Sequence, residues 1–221
     1  MNPTSETFNT DCVEFMRGVP DKFFDLAVAD PPYGILSKIS GKGGKLKDRI
    51  IVTDAERLHE WDKEIPKQEF FDELVRVSKN QIIWGGNYFP LPPTRCIICW
   101  DKVQPWENFS QIELAWTSFD NPAKLFRFDN RTGDKVHPTQ KPIQLYTWTL
   151  NNFAKKGDKI FDPMMGSQSS RIAAYCLGLD YWGCELNPDY FSSGCSRFEK
   201  ECLGLIKLEN GRTIKQMSLF E

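Results

Sequence analysis

A carboxylate, two prolines and an aromatic ring follow an apolar segment near residue 30. Asp30, Pro31, Pro32 and Tyr33 come directly after residues 26–29, which have the composition of a buried strand. The exocyclic amine of adenine or cytosine is a poor nucleophile because its lone pair is delocalised into the ring, and acceptors on both N–H bonds favour a reactive pyramidal geometry. The Asp30 carboxylate and Pro31 carbonyl can be those acceptors, since consecutive prolines fix the backbone φ angle. Tyr33 offers a face for base stacking. The alternative is an ordinary Pro-Pro turn with a surface tyrosine.

A second segment has the pattern of a nucleoside-binding turn. Residues 159–170 contain a short apolar strand that ends in Asp162, a turn at Gly166 and the start of a helical stretch. Doubly wound sheets hold nucleoside cofactors with this geometry. The next strand ends about twenty residues on, at Glu185, where a carboxylate can accept both ribose hydroxyls. A single glycine does not predict a phosphate-cradling loop, so S-adenosylmethionine fits better than a cofactor with a pyrophosphate.

The order of these segments is similar to that of the beta-class DNA amino-methyltransferases, in which the DPPY motif precedes the cofactor half. The resemblance spans about residues 8–200 and depends on six motifs in one order: 30–33 (DPPY), 81–89 (QIIWGGNYF), 113–119 (ELAWTSF), 137–142 (HPTQKP), 161–169 (FDPMMGSQS) and 183–187 (GCELN). It implies an α/β, Rossmann-like, doubly wound sheet of seven mostly parallel strands, that is, a class I methyltransferase fold with circularly permuted motifs. S-adenosylmethionine would bind beside a base flipped out of the DNA.

The resemblance also assigns roles to individual residues. The four residues of the DPPY motif would form the catalytic pocket for the target amine. Glu185 would bind the ribose of the cofactor, and Asp162 with Gly166 would bind its methionine end. Asp11 matches an acidic residue that contacts the cofactor's adenine. The whole set expected at the cofactor is Asp11, Cys12, Asp30, Thr139, Lys141, Asp162, Pro163, Gly166, Ser167, Gln168, Ser169, Glu185, Leu186 and Asn187.

The chain departs from the family pattern at residue 168. The usual run is Gly-Ser-Gly-Thr, and this chain has Gly166, Ser167, Gln168 and Ser169. A side chain at the position of the second glycine either crowds the cofactor or points to solvent. The first alternative leads to a rival hypothesis, in which the chain is a DNA-binding or clamp-associated protein that kept the fold and lost the cofactor.

The composition predicts a cytoplasmic enzyme. No apolar run approaches the roughly eighteen residues of a membrane span, and the amino terminus lacks the regions of a signal peptide. Seven cysteines at scattered positions give no disulfide framework and suit a reducing compartment. Cys96 and Cys99 form a CxxC within a strand-like run without a second pair. We therefore expect core cysteines and no metal site.

Contacts with double-stranded DNA are expected to be local, because the net charge is −2. One candidate is the basic, glycine-containing stretch 37–50, which could close over phosphates around a flipped base or be a solvated surface loop. The second candidate, 121–137, mixes basic and aromatic residues at the family's target-recognition position. The expected DNA-binding residues are Lys38, Lys42, Lys45, Lys47, Arg49, Arg127 and Arg131.

The chain is expected to form one methyltransferase domain over residues 1–207, with a short target-recognition insert around 120–137 and a tail at 208–221. Apolar residues at helical spacing predict a helix within 67–78. A second helix is predicted after Pro142. These helices are packing elements that support the site.

The predicted reaction is direct methyl transfer from S-adenosylmethionine to the N6 amine of adenine in a flipped-out base, without a metal. N4 methylation of cytosine is the nearest alternative, since both amines carry the same two hydrogens. Family enzymes that act on cytosine more often begin the motif with serine, so Asp30 favours adenine. The resemblance also implies a homodimer, because many beta-class members pair.

The last six residues resemble a short bacterial motif that docks into the DNA polymerase sliding clamp. Gln216, Leu219 and Phe220 have the spacing with which a flexible peptide fills an apolar pocket. The alternative is an amphipathic end that packs on its own domain. We expect clamp binding to be lost when residues 216–221 are removed, as measured by titration of purified clamp. Equal binding by the full and truncated chains would rule out this docking.

Overall fold

The computed structural model describes residues 2–35, 64–104, 110–129, 140–207 and 213–215. Several predicted site residues fall outside these ranges, so their roles stay predictions. They are Lys38, Lys42, Lys45, Lys47, Arg49, Arg131, Thr139, Gln216, Leu219 and Phe220.

Eight described strands form one sheet: β1 (Ser5–Phe8), β2 (Phe24–Ala29), β3 (Ser78–Trp84), β4 (Ile97–Asp101), β5 (Ile112–Thr117), β6 (Lys124–Arg127), β7 (Lys159–Asp162) and β8 (Asp180–Cys184). Their order across the sheet is β1-β8-β7-β2-β3-β5-β4-β6. Within this described sheet, β5 alone runs antiparallel to its neighbours. A separate antiparallel pair joins β9 (Leu205–Lys207) to β10 (Thr213–Lys215).

Helices cover both faces of the sheet: α1 (Cys12–Arg17), α2 (Gln68–Val77), α3 (Ile143–Phe153), α4 (Ser169–Cys176) and α5 (Pro188–Leu203). Buried residues of α1 and α2 belong to one hydrophobic core. Buried residues of α3 and α4 belong to a second core. The predicted helices at 67–78 and after Pro142 are confirmed as α2 and α3. None of the described helices is long and apolar enough to cross a membrane.

The central strands are buried on both faces, and their side chains alternate between the two cores. In β2, Leu26 and Val28 contribute to the core under α3 and α4, while Ala27 and Ala29 contribute to the core under α1 and α2. Opposite-facing side chains of successive residues explain this division. Strands covered on both sides read as continuous apolar runs, which is why the sequence around β2 is so strongly hydrophobic.

The direction of chain winding reverses between β7 and β2. From β2 the chain passes through α2 to β3 on one side, and from β7 it passes through α4 to β8 on the other. Crevices for ligands form at such a switch point, outside the carboxyl ends of the strands. The predicted fold class is confirmed, with the β2 motif preceding the β7 motif in the chain. The sheet has eight strands where seven were expected, because β6, within the predicted recognition insert, pairs with β4.

Candidate active site

The acidic residues singled out in the sequence meet at the carboxyl edge of the sheet. Asp30 follows β2, Asp162 ends β7 and Glu185 follows β8, and the three strands are neighbours or next neighbours. Asp11 lies just beyond the end of β1 on the same edge. Because β5 is antiparallel, its first residues also reach this edge, which brings Glu113 to the site.

The carboxylate of Asp30 is held by a buried lysine. Lys141 Nζ lies 2.5 Å from Asp30 Oδ1 and 2.6 Å from Glu113 Oε1. Lys102 Nζ contacts the other oxygen of Glu113 at 2.7 Å. The Lys141 side chain is only 6% exposed and the Lys102 side chain is 24% exposed, so two carboxylates and two ammonium groups form a cluster with Lys141 buried at its centre. Removing one partner of such a cluster typically costs about 3–5 kcal/mol, because a charge is left buried without compensation.

The charges of this cluster shift one another's pKa values. Burial would raise the pKa of Glu113, but Lys141 and Lys102 outweigh it and lower that pKa to about 2. Burial would lower the pKa of Lys141, but Asp30 and Glu113 raise it above its ordinary value. Burial raises the pKa of Asp30, and Lys141 offsets only part of that increase. At neutral pH Glu113 is therefore ionised and Lys141 is protonated.

The Tyr33 ring is fixed from several directions. Its hydroxyl lies 2.7 Å from Asp30 Oδ1 and 2.9 Å from Glu113 Oε1, and it can donate its one hydrogen to either carboxylate. Tyr88, on the 3₁₀ turn after β3, stacks on the Tyr33 ring at 5.0 Å between centroids. A Cβ atom at Gly85 would lie 2.2 Å from the ring, and Gly85 has φ +67°. Only glycine combines that backbone conformation with so close an approach.

Asp162 is the most deeply buried of the acidic residues that were predicted to contact the cofactor. It is 1% exposed, and it accepts hydrogen bonds from the Met164 N–H at 3.0 Å and from the Ser170 hydroxyl at 2.5 Å. Burial raises its pKa to about 7, although these two donors act in the opposite direction. A carboxyl group that is costly to ionise favours a cationic ligand, whose charge would compensate it.

Glu185 organises the turn that leads into α4. Its two oxygens accept from the N–H groups of Gly166, at 3.0 Å, and Asn187, at 2.8 Å. The Asn9 amide donates to the backbone carbonyls of Glu185 and Leu186, which ties the end of β1 to the end of β8. These contacts hold Glu185, which was predicted to bind the ribose, beside Gly166, which was predicted at the methionine end of the cofactor. Asn9 was not predicted, because nothing in the sequence pattern distinguishes its amide.

Other predicted cofactor residues lie nearby and also stabilise the local structure. Asp11 caps α1 by accepting from the N–H groups of Val13 and Glu14. Cys12 is buried, and burial raises the pKa of its thiol to about 12. Pro163 is buried beside Asp162, and Leu186 is 68% exposed at the edge of the site. Asn187 caps α5 with its side chain.

Gln168 neither points to solvent nor projects towards Asp162 and Glu185, so the solvent alternative is wrong. Its side chain is fully buried against α5, where the amide Nε2 lies 3.3 Å from the Phe191 carbonyl and the amide oxygen accepts from Arg171. Gly194 makes this possible, since a Cβ there would lie 2.7 Å from Gln168 Cγ. Gln168 has φ +60°, a left-handed conformation that glycine adopts more readily than other residues. The flanking serines are held by Arg197, which donates to the Ser167 carbonyl and the Ser169 hydroxyl.

Two predicted site residues make contacts that the sequence did not indicate, and their predicted roles stay predictions. Lys141 was expected at the cofactor, but its described contacts are with the Asp30 cluster. Arg127 is exposed and pairs with Asp101 at 2.9 Å. Glu113 and Lys102 were not predicted as site residues. Glu113 opens the 113–119 motif, but only the reversed direction of β5 places it beside Tyr33.

Comparison with known proteins gives consistent matches. A family model for N6/N4 methyltransferases, described as DNA methylase, matches residues 83–194. Type II methyltransferase M2.MboI of Moraxella bovis is 26% identical over 243 residues, and the match covers 87% of this chain and 87% of that protein. Type II methyltransferase M.HinfI of Haemophilus influenzae is 23% identical, with 81% of this chain and 64% of that protein covered.

Solved structures share the fold. TTHA0409 of Thermus thermophilus matches with a TM-score of 0.58 and 20% identity, covering 91% of this chain and 97% of its own. A complex of that protein with S-adenosyl-L-methionine matches with a TM-score of 0.57. PvuII DNA methyltransferase, which is cytosine-N4-specific, matches with a TM-score of 0.58 and 12% identity, covering 87% of this chain and 86% of its own.

The packing of Gln168 against α5 leads to a paired substitution test. Gly194→Ala is expected to lower the free energy of unfolding by about 1–3 kcal/mol, because the added Cβ overlaps the buried glutamine. In a Gln168→Gly background the same substitution should cost less, since the overlap with the glutamine is gone and only the approach of the added Cβ to the Gly166 carbonyl, at 2.9 Å, remains. Urea unfolding of the four proteins measures this coupling. Equal costs in both backgrounds would show that Gln168 does not occupy the space beside Gly194.

Proposed function

Because the chain belongs to the N6/N4 DNA methylase family, we propose that it methylates the N6 amine of adenine in double-stranded DNA. The methyl donor is S-adenosylmethionine, and the target base is flipped out of the helix. The observation that supports this most directly is the placement of Asp30 and Asp162 on neighbouring strands at the switch point of the sheet. We assign the first carboxylate to the pocket for the target amine and the second to the pocket for the cofactor.

The residues on the cofactor side fit S-adenosylmethionine. Asp162, Glu185 and Asp11 supply carboxylates, and Gly166 supplies a turn with φ +47°. Acceptors of this kind suit the ribose hydroxyls and the positive charge of the cofactor, and the turn is not a phosphate-binding loop. When bound, the cofactor supplies a methyl group already activated by its positively charged sulfur. The buried Gln168 leaves no reason to favour the hypothesis of a chain that has lost its cofactor.

Asp30 is positioned to orient the target amine. Its described contacts with Lys141 and Tyr33 both fall on Oδ1, which leaves Oδ2 to accept a hydrogen from the amine. The Pro31 carbonyl would accept the other hydrogen. Together these acceptors hold the amine lone pair towards the methyl group, so the contribution of the protein is positioning and electrostatic stabilisation. No covalent intermediate with the protein is required.

Adenine is the proposed base, and cytosine is the second candidate. The aspartate that begins the motif favours adenine. The structural similarity to PvuII DNA methyltransferase keeps N4 methylation of cytosine as the alternative, although that similarity concerns the fold alone. Homodimerisation and clamp docking through the tail remain further proposals.

Single-molecule sequencing of a genome tests the reaction. The chain is expressed in cells that lack DNA methylation, and the sequencing reports the modified base together with its context. N6-methyladenine in a recurring motif is expected. N4-methylcytosine would support the alternative, and an unmodified genome in cells that contain soluble protein would contradict the proposal.

Asp30→Ala is the matched variant for this reaction. It should reduce turnover by at least on the order of 10³-fold, because the amine loses its acceptor, while cofactor binding stays nearly intact. Asp120→Ala, at a carboxylate that is 88% exposed, controls for the loss of a negative charge. Turnover by Asp30→Ala at the rate of the unmodified protein would refute the assigned role.

Cofactor binding should depend on pH through Asp162. In the free protein this carboxyl is protonated below about pH 7, and the positive charge of the cofactor favours its ionised form. Binding should therefore release a proton at pH 6, and affinity should rise with pH on the order of tenfold per unit below 7, then level off. Calorimetry in buffers of different ionisation enthalpy measures this release. Asp162→Asn isolates the effect, because its plot of affinity against pH reports only the titration of other groups. Identical plots for this variant and the unmodified protein would contradict the prediction.

A further inference from the structure

We propose that Lys141 recognises the target base by donating a hydrogen bond to the ring nitrogen next to the methylated amine. This inference depends on the proposed function, because it concerns the base on which that reaction acts. It gives Lys141 a direct role in substrate selection, alongside its ion pair with Asp30. The substrate class that follows is a base whose exocyclic amine lies beside an unprotonated ring nitrogen.

The spacing of the two side chains supports this role. Lys141 Nζ lies 2.5 Å from Asp30 Oδ1, so the ammonium donor stands beside the carboxylate whose other oxygen, Oδ2, would accept the amine hydrogen. On adenine the N6 amine, a donor, adjoins N1, an acceptor, and on cytosine the N4 amine adjoins N3. The Lys141–Asp30 pair therefore complements the Watson–Crick edge by which flipped bases are recognised. Guanine presents the reverse pattern, an oxygen acceptor beside a ring N–H, and would be rejected.

One of the three hydrogen bonds of Lys141 is weak enough for the base to replace it. An ammonium group has three donors. Two of them face Asp30 and Glu113 at 2.5 and 2.6 Å, and the third faces the Tyr33 hydroxyl oxygen at 3.2 Å. The contact with Tyr33 is the longest and therefore the weakest of the three. A ring nitrogen can replace it without disturbing either ion pair.

The surroundings of Lys141 keep it in place as a charged donor. Glu113 holds the ammonium group, and Lys102 in turn holds Glu113. The rings of Tyr33 and Trp84 lie 5.6 and 5.5 Å from Nζ. At its backbone, the lysine directly precedes Pro142, the N-cap of α3. A donor fixed in this way discriminates strongly, because a base without the ring acceptor leaves a buried donor unpaired.

Base analogues in DNA test the inference with the unmodified protein. In 1-deazaadenine a C–H group replaces N1 and the amine is retained, while 7-deazaadenine keeps both N1 and the amine. Relative to adenine, kcat/KM for methyl transfer should fall on the order of 10- to 100-fold with 1-deazaadenine, and should stay within about threefold with 7-deazaadenine. If the natural target proves to be cytosine, 3-deazacytosine takes the place of 1-deazaadenine.

The outcomes separate the two levels of the proposal. If the protein methylates the natural base and its kcat/KM for the 1-deaza analogue is equal, the role of Lys141 is overturned and the proposed function stays intact. Absence of transfer to either natural base would contradict the proposed function, and this inference with it.

A pair of lysine variants tests whether Lys141 is the group that distinguishes adenine from 1-deazaadenine. In Lys141→Met the ratio of kcat/KM for adenine to that for 1-deazaadenine should approach one, because the donor is gone. Lys79→Met, which removes a 57% exposed ammonium group paired with Asp25 at the amino end of β3, should keep the ratio of the unmodified protein. A preserved ratio in Lys141→Met would overturn the assignment. If Lys141→Met fails to fold, the analogue series on the unmodified protein still decides the question.

Discussion

The ammonium group of Lys141 between two buried carboxylates is the interaction on which the site depends. It joins the end of β2, the start of β5 and the segment before α3, which are distant from one another in the chain. None of these charges would be stable there alone, because burial without a partner costs several kcal/mol. The cluster is therefore assembled as a unit, and the ionised state of its members follows from that assembly.

The parallel direction of the central strands explains why so many acids lie at one edge. Asp30, Asp162 and Glu185 each stand at the carboxyl end of a strand, and β1 brings Asp11 to the same edge. In a sheet of alternating direction half of them would be on the opposite side. The accumulated negative charge suits a cationic cofactor on the side of β7 and β8, whereas on the side of β2 the buried lysine compensates it. One edge thus provides two electrostatically different pockets.

Gln168 illustrates how a departure from a family pattern can be absorbed. The glutamine keeps the left-handed backbone conformation that usually calls for glycine. Its side chain turns away from the carboxylates and enters space left by Gly194 on α5. The turn into α4 is then held by hydrogen bonds that the Gln168 side chain makes with α5 and with Arg171. Position 168 considered alone suggests that cofactor binding was lost. Considered together with Gly194, it shows where the glutamine side chain is accommodated.

The sequence alone determined the fold class, the helices α2 and α3, the order of the motifs and the carboxylates Asp30, Asp162 and Glu185. Acidic residues at strand ends, apolar periodicity and turn glycines are local features, because each involves residues that are close together in the sequence. Only the tertiary structure decided that Glu113 and Lys102 belong to the site, that Lys141 pairs with Asp30, and that Gln168 faces α5. These arrangements depend on the direction of β5, on the position of the segment before α3 beside the end of β2, and on the packing of α5 against α4, and each brings together residues far apart in sequence. The charge of a buried group, and hence its chemistry, is set by such neighbours.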